Sequence, residues 1–174
     1  LEAWFRPLSL PTSTNRAAII SQWDTSGTPA EQSFRLYLDS NNSAHLTFDI
    51  GGTISSAAAT ESFVLGFTPA VNEWSHIAVT FDATSKAVLF YLNGAHVRTA
   101  ISTTDAATGV QAAVERFSVG TSFAAGATAG DFFHGNLSDV RVWDDVRTRA
   151  EILDCFQTRL PSTACPTTNL VVNW

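Results

Sequence analysis

The stretch that decides the fold is Trp74–Gly94, which reads WSHIAVTFDATSKAVLFYLNG. It contains two runs rich in Val, Ile, Phe and Tyr, Ser75–Phe81 and Ala87–Leu92, and such residues favour packed β-strands. A polar turn joins the runs, and the second run ends at Asn93-Gly94, a pair typical of tight hairpin turns. Apolar side chains fall on both faces of each run. The pattern therefore predicts a central hairpin that is covered on both sides.

Similar short runs recur along the chain, separated by Gly, Pro, Asn and Ser, which favour turns. Strands are predicted at Leu1–Arg6, Ala17–Trp23, Ser33–Leu38, His45–Ile50, His96–Ser102, Arg116–Gly120, Phe132–Trp143 and Asn169–Trp174. A helical pattern occurs at Thr148–Phe156, where Thr148 and Glu151 have the spacing of a capping box. Many short strands with one short helix predict an all-β fold, either a two-sheet antiparallel sandwich or a barrel.

Two features interrupt this regular pattern. In Phe132–Trp143 the apolar residues Leu137 and Val140 would point to opposite faces of one strand. Either both faces are buried there, or a bulge lies near Ser138-Asp139. The segments Asp24–Glu31 and Ser122–Gly130 are predicted to be loops of the kind that carry binding function.

The composition bounds the class of partner. Of the 174 residues, 45% are hydrophobic and 15% charged, which is typical of a globular protein. The net charge of −6 argues against nucleic-acid binding, which needs a basic surface, and against docking on anionic lipid. No apolar run approaches the ~20 residues of a membrane span, so no membrane insertion is expected.

The two cysteines, Cys155 and Cys165, lie close together near the end of the chain. Their even number and short separation predict a disulfide that closes a small loop, with two free thiols as the alternative. By loop-closure entropy such a bridge stabilises the fold by about 2.8 kcal/mol. Disulfides persist in oxidising compartments, so we expect a secreted or cell-surface protein.

Several motifs, taken in order, resemble those of one family. The start LEAWFRP is similar to an E-x-W-x-x-P strand, Asn72–Asp82 to W-x-H-V-A-x-T-x-D, and Leu89–Gly94 to a Y-x-[ND]-G hairpin. Phe133–Trp143 is similar to an F-x-G-x-[LI]-D-[ED]-V-R-[IV]-[WY] strand, followed by the family's helix. Over about residues 1–156 the chain resembles the laminin-G-like, concanavalin-A-type jelly rolls, in their bacterial, pentraxin-like branch.

The resemblance implies a single jelly-roll domain over residues 1–174, with residues 157–174 as a disulfide-closed tail and final strand. The family has an opening pair of strands before the E-x-W strand, whereas this chain starts at that strand. The missing strand is then expected to come from the tail or from a neighbouring subunit, because an unpaired sheet edge invites strand addition.

The resemblance also implies a metal, calcium, held by loop oxygens and aspartates. Asp139 matches the family's aspartate motif, and Asp131 and Asp24 are further loop candidates. The alternative for Asp139 is structural, as a cap of backbone amides in the bulge.

Aromatic side chains are the other candidate binding groups. Trp23, beside a Gly/Pro loop, is the tryptophan expected to be exposed and to stack on a sugar. Trp4, Trp74 and Trp143 are expected to pack in the core instead.

Enzyme activity is not expected. Glucanases on this scaffold resemble one another in an E-x-D-x-x-E strand, which brings two carboxylates to the ~5 Å that retaining hydrolysis requires. That spacing is absent from this sequence, as are the Gly-x-Ser-x-Gly nucleophile motif and His-x-x-x-His.

The sequence thus supports two functional hypotheses. The first is a non-catalytic extracellular module that binds glycans or protein surfaces, as in cell adhesion. The second is a structural subunit of a cell-surface assembly or filament, completed by strand exchange with neighbouring copies of itself.

Overall fold

The computed structural model describes residues 1–13, 15–26, 32–54, 57–103, 116–124, 128–158, 160, 162–163 and 165–174. The strands and the helix in chain order are β1 Glu2–Pro7, β2 Arg16–Trp23, β3 Gln32–Asp39, β4 His45–Ile54, β5 Ala57–Val64, β6 Ser75–Asp82, β7 Ala87–Leu92, β8 Ala95–Ile101, β9 Ser118–Val119, β10 Ser122–Ala124, β11 Thr128–Gly130, β12 Gly135–Trp143, α1 Arg149–Cys155 and β13 Leu170–Asn173.

The strands form two main antiparallel sheets and a small ribbon. The six-stranded sheet has the order β13-β12-β1-β6-β7-β8, and the five-stranded sheet has the order β5-β4-β3-β2-β9. Strands β10 and β11 make the ribbon. The predicted all-β, two-sheet jelly-roll sandwich with one short helix near Thr148–Phe156 is confirmed.

The core lies between the two sheets, because alternate residues of each strand point inward. The six-stranded sheet contributes Phe5, Ile77, Val79 and Phe90, all of them buried. The five-stranded sheet contributes Ile20, Leu36, Leu38, Leu46, Phe48 and Ile50 from β2, β3 and β4. The rings of Phe48 and Phe90 meet edge to face across the two layers, with their centroids 6.4 Å apart.

The hairpin of β6 and β7 is central and covered on both faces, as predicted. One face lies on the core, and on the other face Ala78 and Tyr91 pack against Ile152 of α1. At the following turn Asn93 has φ of 49° and Gly94 has φ of 77°. Two successive positive φ values are what a type I′ turn requires, and Asn-Gly adopts them at low cost.

A bulge in β12 resolves the broken alternation. The pairing of β1 with β12 shifts register between Glu2 and Trp4, and Asp139 has a φ of 49° at the extra position. Because of the bulge, Val140 and Leu137 both pack against the core rather than pointing to opposite faces. Of the two alternatives that the sequence left open, the bulge near Ser138-Asp139 is therefore the one observed.

The helix and the tail cover the outer face of the six-stranded sheet. Thr148 caps α1 through the predicted capping box with Glu151. The predicted disulfide joins Cys155 to Cys165, with 5.1 Å between their Cα atoms, and both cysteines pack against Trp143. The tail then forms β13, which pairs with β12 of the same chain. Among the described residues no helix has the length and apolarity needed to span a membrane.

Two local predictions are wrong. Ser122–Gly130 was expected to be a loop, but its ends pair as β10 and β11, and residues 125–127 lie outside the described part. Trp74 was expected in the core, yet it precedes β6 and is exposed, with the Arg6 guanidinium carbon 5.4 Å from its ring centroid. A tryptophan just outside a strand is not bound by the strand's alternation of faces.

Candidate ligand-binding cleft

Two segments that are far apart in sequence form a cleft at one edge of the sandwich. One is the β1–β2 connection, and the other is the link from β11 to β12. Backbone hydrogen bonds join them, from the N–H of Leu8 to the carbonyl of His134 and from the N–H of Ala18 to the carbonyl of Asp131, each 2.8 Å long. The cleft has a volume of about 420 Å³ and is lined by Ser9, Leu10, Pro11, Thr12, Asn15, Arg16, Ala17, Asp131, Phe132 and His134. We call it the Arg16 cleft.

Arg16, the first residue of β2, is the cation of this cleft. Its guanidinium carbon lies 5.6 Å from the centroid of the Tyr37 ring. Its Nε atom is buried and, within the described part of the chain, has no hydrogen-bond partner. Two buried arginines, in contrast to Arg16, form ion pairs: Arg35 contacts Asp49, and Arg141 contacts both Glu2 and Asp139. Arg16 is therefore a half-buried cation held by an aromatic ring rather than by a carboxylate.

Tyr37 belongs to a stack of aromatic rings and cations on the outer face of the five-stranded sheet. The guanidinium of Arg35 lies between the rings of Trp23 and Tyr37, 4.5 Å from each centroid. Arg35 also forms an ion pair of 2.7 Å with Asp49, which accepts a hydrogen bond of 3.2 Å from the Tyr37 hydroxyl. Burial, reinforced by the charge of Asp49, raises the pKa of Tyr37 far above its usual value. The phenol therefore stays neutral and fixed, and it positions Arg16 at the end of the stack.

The other lining groups offer an aromatic surface and several hydrogen-bonding atoms. Phe132 has 66% of its surface exposed, which is unusual for a large apolar side chain. His134 is oriented by a hydrogen bond of 2.8 Å between its Nδ1 and the Ser9 hydroxyl. Asp131 sits in a left-handed turn with φ of 51°, and Asn15 is exposed on the facing segment. The cleft thus combines an open ring face with a carboxylate, an amide, an imidazole and a guanidinium.

The expectation that Trp23 is exposed is wrong. Only 3% of its surface is accessible, and Arg35 covers one face of the indole. In this arrangement the ring has no open face on which a sugar could stack. Residues 27–31 of the neighbouring predicted loop, Asp24–Glu31, lie outside the described residues.

The structure does not bring together the three aspartates proposed as calcium ligands. Asp24 is fully buried, and its two carboxylate oxygens accept hydrogen bonds from the N–H and the hydroxyl of Ser26. Asp139 accepts a hydrogen bond from the Ser138 hydroxyl and contacts the guanidinium of Arg141. The positive charge of Arg141 would repel a calcium ion bound at Asp139.

Asp131 lies apart from both of them, in the Arg16 cleft. No group of three or more His, Cys, Asp or Glu side chains suited to a metal is found among the described residues. These side chains do not fit a calcium site by themselves, and calcium binding stays a prediction.

A second polar cluster is buried beneath α1, on the outer face of the six-stranded sheet. Glu2 contacts Arg141 Nη1 at 3.2 Å and His76 Nε2 at 3.3 Å, and it accepts a hydrogen bond of 3.2 Å from Trp143 Nε1. Burial by itself raises the pKa of Glu2, but the hydrogen bond from His76 and the charges of His76 and Arg141 lower it to about 2. Helix and tail pack over this cluster, and its buried ion pairs link β1, β6 and β12.

Sequence reasoning predicted Asp131 as a site residue but missed Arg16, Phe132 and His134. Phe132 and His134 were assigned to a strand, whereas the strand begins at Gly135. Their position just before a strand, on a segment rich in small residues, was the one local signal that could have identified them. Nothing local marks Arg16, because Tyr37 belongs to another strand and Asp131, Phe132 and His134 are more than 100 residues away in sequence.

Comparison with known proteins places this architecture. A laminin G family model, described as the concanavalin A-like lectin/glucanases superfamily, matches residues 1–153. No curated protein sequence matches the chain. A Bacteroides ovatus protein named as a candidate carbohydrate-binding protein superimposes with a TM-score of 0.68 at 17% identity, over 99% of this chain and 43% of that one. This chain thus spans less than half the length of that protein.

Two further solved structures share the fold. The heptameric SAP-like pentraxin of Limulus polyphemus matches with a TM-score of 0.58 at 17% identity, over 88% of this chain and 66% of that chain. The CBM40 of the Ruminococcus gnavus IT-sialidase, bound to α2,3-sialyllactose, matches with a TM-score of 0.59 at 15% identity, over 87% of this chain and 78% of that chain. At these identities the likeness shows the fold alone. With the family match over most of its length, the chain belongs to the laminin G-like members of the concanavalin A-like lectin/glucanase superfamily.

Proposed function

We propose that this protein is a non-catalytic, extracellular module that recognises glycans, and that the Arg16 cleft is its sugar-binding site. The observation that carries the proposal is the exposed ring of Phe132 beside the polar groups of Asn15, Asp131 and His134 in one open cleft. An aromatic ring can stack on the apolar C–H face of a sugar. Amide, carboxylate and imidazole groups can pair with its hydroxyls.

Three further observations support this function. Members of this fold with related architecture include a candidate carbohydrate-binding protein and a CBM40 bound to a sialylated trisaccharide. The Cys155–Cys165 disulfide fits an oxidising compartment outside the cytosol. Most glycoside hydrolases use two suitably spaced carboxylates, and Asp131 is the one carboxylate among the described lining residues of the cleft.

A glycan array tests the proposal. The wild-type protein and the Phe132→Ala variant are applied side by side, each with calcium and with EDTA. We expect the wild type to bind a defined set of glycans and Phe132→Ala to bind them about 5- to 10-fold more weakly, since a stacking contact contributes ~1 kcal/mol. The EDTA arm separately tests the calcium prediction, because loss of binding with EDTA would show that a metal takes part.

The matched control is Trp174→Ala. Trp174 has the same exposed fraction as Phe132, 66%, but lies next to β13, away from the residues of the cleft. It should leave glycan binding unchanged, and both variants should keep the wild-type melting temperature. Absence of binding to any glycan would contradict the proposed function. Equal losses in the two variants would contradict its assignment to the Arg16 cleft.

A second function, as a subunit of a surface assembly, rests on the two edges of the six-stranded sheet. At one edge β8 exposes Val97 and Ile101, and at the other β13 exposes Val171, with Trp174 just beyond it. Edge strands with exposed apolar side chains invite pairing with another copy. Light scattering of the purified protein over a range of concentrations distinguishes this alternative. Oligomers or filaments would favour it, and a stable monomer at high concentration would contradict it.

A further inference from the structure

We propose that Arg16 selects glycans in which the bound sugar carries a carboxylate, so that the ligand is an acidic rather than a neutral glycan. This inference rests on the proposed function, since it names the class of sugar that the Arg16 cleft takes.

Among the described residues, the buried arginines each have a carboxylate partner in place. Arg35 has Asp49, Arg141 has Glu2, and Arg147 has Glu151. Arg16 has the ring of Tyr37, and no ion pair or hydrogen bond of its guanidinium is seen within the described ranges. A half-buried guanidinium with no direct ion pair leaves hydrogen-bonding capacity unused, and an incoming carboxylate would supply both charge and hydrogen-bond acceptors.

The guanidinium of Arg16 is also held in place before any ligand arrives. Tyr37, on which it lies, is buried and is fixed through its hydroxyl to Asp49, and Asp49 is in turn fixed to Arg35. Arg16 lines the cleft, and its Nε is buried without a partner within the described ranges. A carboxylate matches such a planar, forked donor with two parallel hydrogen bonds. Because the arginine is already positioned, little ordering cost is left for binding.

The rest of the cleft favours a sugar acid over a small anion. Phe132 offers its exposed ring, and Asn15 and His134 offer hydrogen-bonding groups, none of which a free anion would use fully. The net charge of −6 provides no long-range attraction for anions, so the preference must arise at contact with Arg16. Asp131 lines the same cleft and opposes it, so removing the charge of Asp131 should strengthen acid binding.

The experiment compares acidic oligosaccharides with their own methyl esters, which keep the sugar and remove the charge. Sialic acid- and uronic acid-terminated oligosaccharides are titrated against the wild type, each beside its ester, and sodium acetate is the free-anion arm. We expect at least one acid to bind ~10-fold or more tightly than its ester, as for a hydrogen bond to a charged group. Acetate should neither bind measurably nor compete at equal concentration.

Variants then assign the preference to its residue. Arg16→Gln should remove the difference between acid and ester, Arg16→Lys should retain part of it, and Asp131→Asn should widen it. Arg98→Gln is the matched control, because it removes the same charge from β8 of the other sheet and should change nothing. Should Arg16→Gln not fold, Arg16→Lys and Asp131→Asn carry the test.

The outcomes are separable. Binding of neutral sugars or esters as tightly as the acids would overturn this inference while leaving glycan recognition intact. Acid preference that survives in Arg16→Gln would overturn the role of Arg16. Failure of every sugar to bind would count against the proposed function itself.

Discussion

At the scale of single residues, the buried carboxylate of Glu2 shows how the fold depends on a polar contact. Replacing Glu2 by Gln leaves Arg141 buried with its buried carboxylate partner removed, and breaking such a pair costs about 3 kcal/mol or more. We expect Glu2→Gln to lower the free energy of unfolding in urea by that amount. Glu73→Gln, the same change at an exposed site, should lower it by less than about 0.5 kcal/mol. Similar small effects of both variants would show that the cluster contributes little.

The same carboxylate predicts a dependence of stability on pH. The pKa of Glu2 is about 2 in the folded protein, against an ordinary value of 4.5 for a glutamate in water. A pKa that folding lowers contributes stability above the unfolded value, and that stability is lost as the pH falls through the folded value. The wild type should therefore lose about 3 kcal/mol from this group between roughly pH 4.5 and pH 2. Glu2→Gln should show a flatter profile in urea unfolding across that window, and parallel profiles would contradict the assignment.

Tryptophan and arginine illustrate what the sequence can predict for a site. Trp23 was assigned to the surface because a Gly/Pro loop follows it, but its indole is buried against Arg35. Arg16 carries no local sign of its role, since the ring beneath it belongs to β3 and the far side of the cleft to the β11–β12 link. The type of a residue indicates which chemistry it can perform. Its exposure and partners depend on contacts that local sequence does not encode.

At the scale of elements, the Asn93-Gly94 turn connects β7 to β8 and packs against Phe156 at the end of α1. Gly94 has a φ of 77°, and a Cβ at this position would lie 2.8 Å from the Phe156 ring. Gly94→Ala should therefore destabilise the fold through both backbone strain and collision, by about 2 kcal/mol or more. Gly66 has a similar φ of 74° with nothing within 4 Å of its Cβ position, so Gly66→Ala reports the strain alone.

The difference in unfolding free energy between these two variants measures the packing of the turn on α1. We expect Gly94→Ala to unfold at a clearly lower urea concentration than Gly66→Ala. Equal midpoints would show that the contact with Phe156 relaxes at no cost.

The Cys155–Cys165 disulfide is the second contact that holds neighbouring elements together. It ties the end of α1 to the segment that leads into β13. A Cys155→Ser/Cys165→Ser double variant should lose about 2.8 kcal/mol of unfolding free energy, and reduction of the wild type should have the same effect. Unfolding in urea with and without reductant measures both. A double variant as stable as the oxidised wild type would contradict the assigned contribution.

The sequence predicted individual structural elements better than it predicted single site residues. The hairpin, the capping box, the bulge and the disulfide each depend on residues that are neighbours in the chain, so their chemistry is visible locally. The exception, Ser122–Gly130, is composed of small residues whose pairing depends on surroundings rather than on strand propensity.

At the scale of the whole molecule, the two-sheet sandwich brings the functional groups together. Hydrogen bonds from the backbones of Leu8 and Ala18 to the β11–β12 link close the Arg16 cleft. The family resemblance implied this architecture but not the cleft, because apart from His134 the lining residues lie outside the motifs that carry the resemblance. The division into domains and the possible contribution of neighbouring copies stay predictions, for which light scattering is the direct measurement.

The central claim is that the Arg16 cleft binds an acidic glycan. The most direct test is amide chemical-shift mapping by NMR, with the best acidic oligosaccharide from the array titrated into the isotopically labelled protein. We predict that the largest shifts fall at Asn15–Ala17 and Asp131–His134, and that Arg16→Gln needs ~10-fold more ligand to reach them. Shifts concentrated at β8 or β13, with these two segments unchanged, would contradict it.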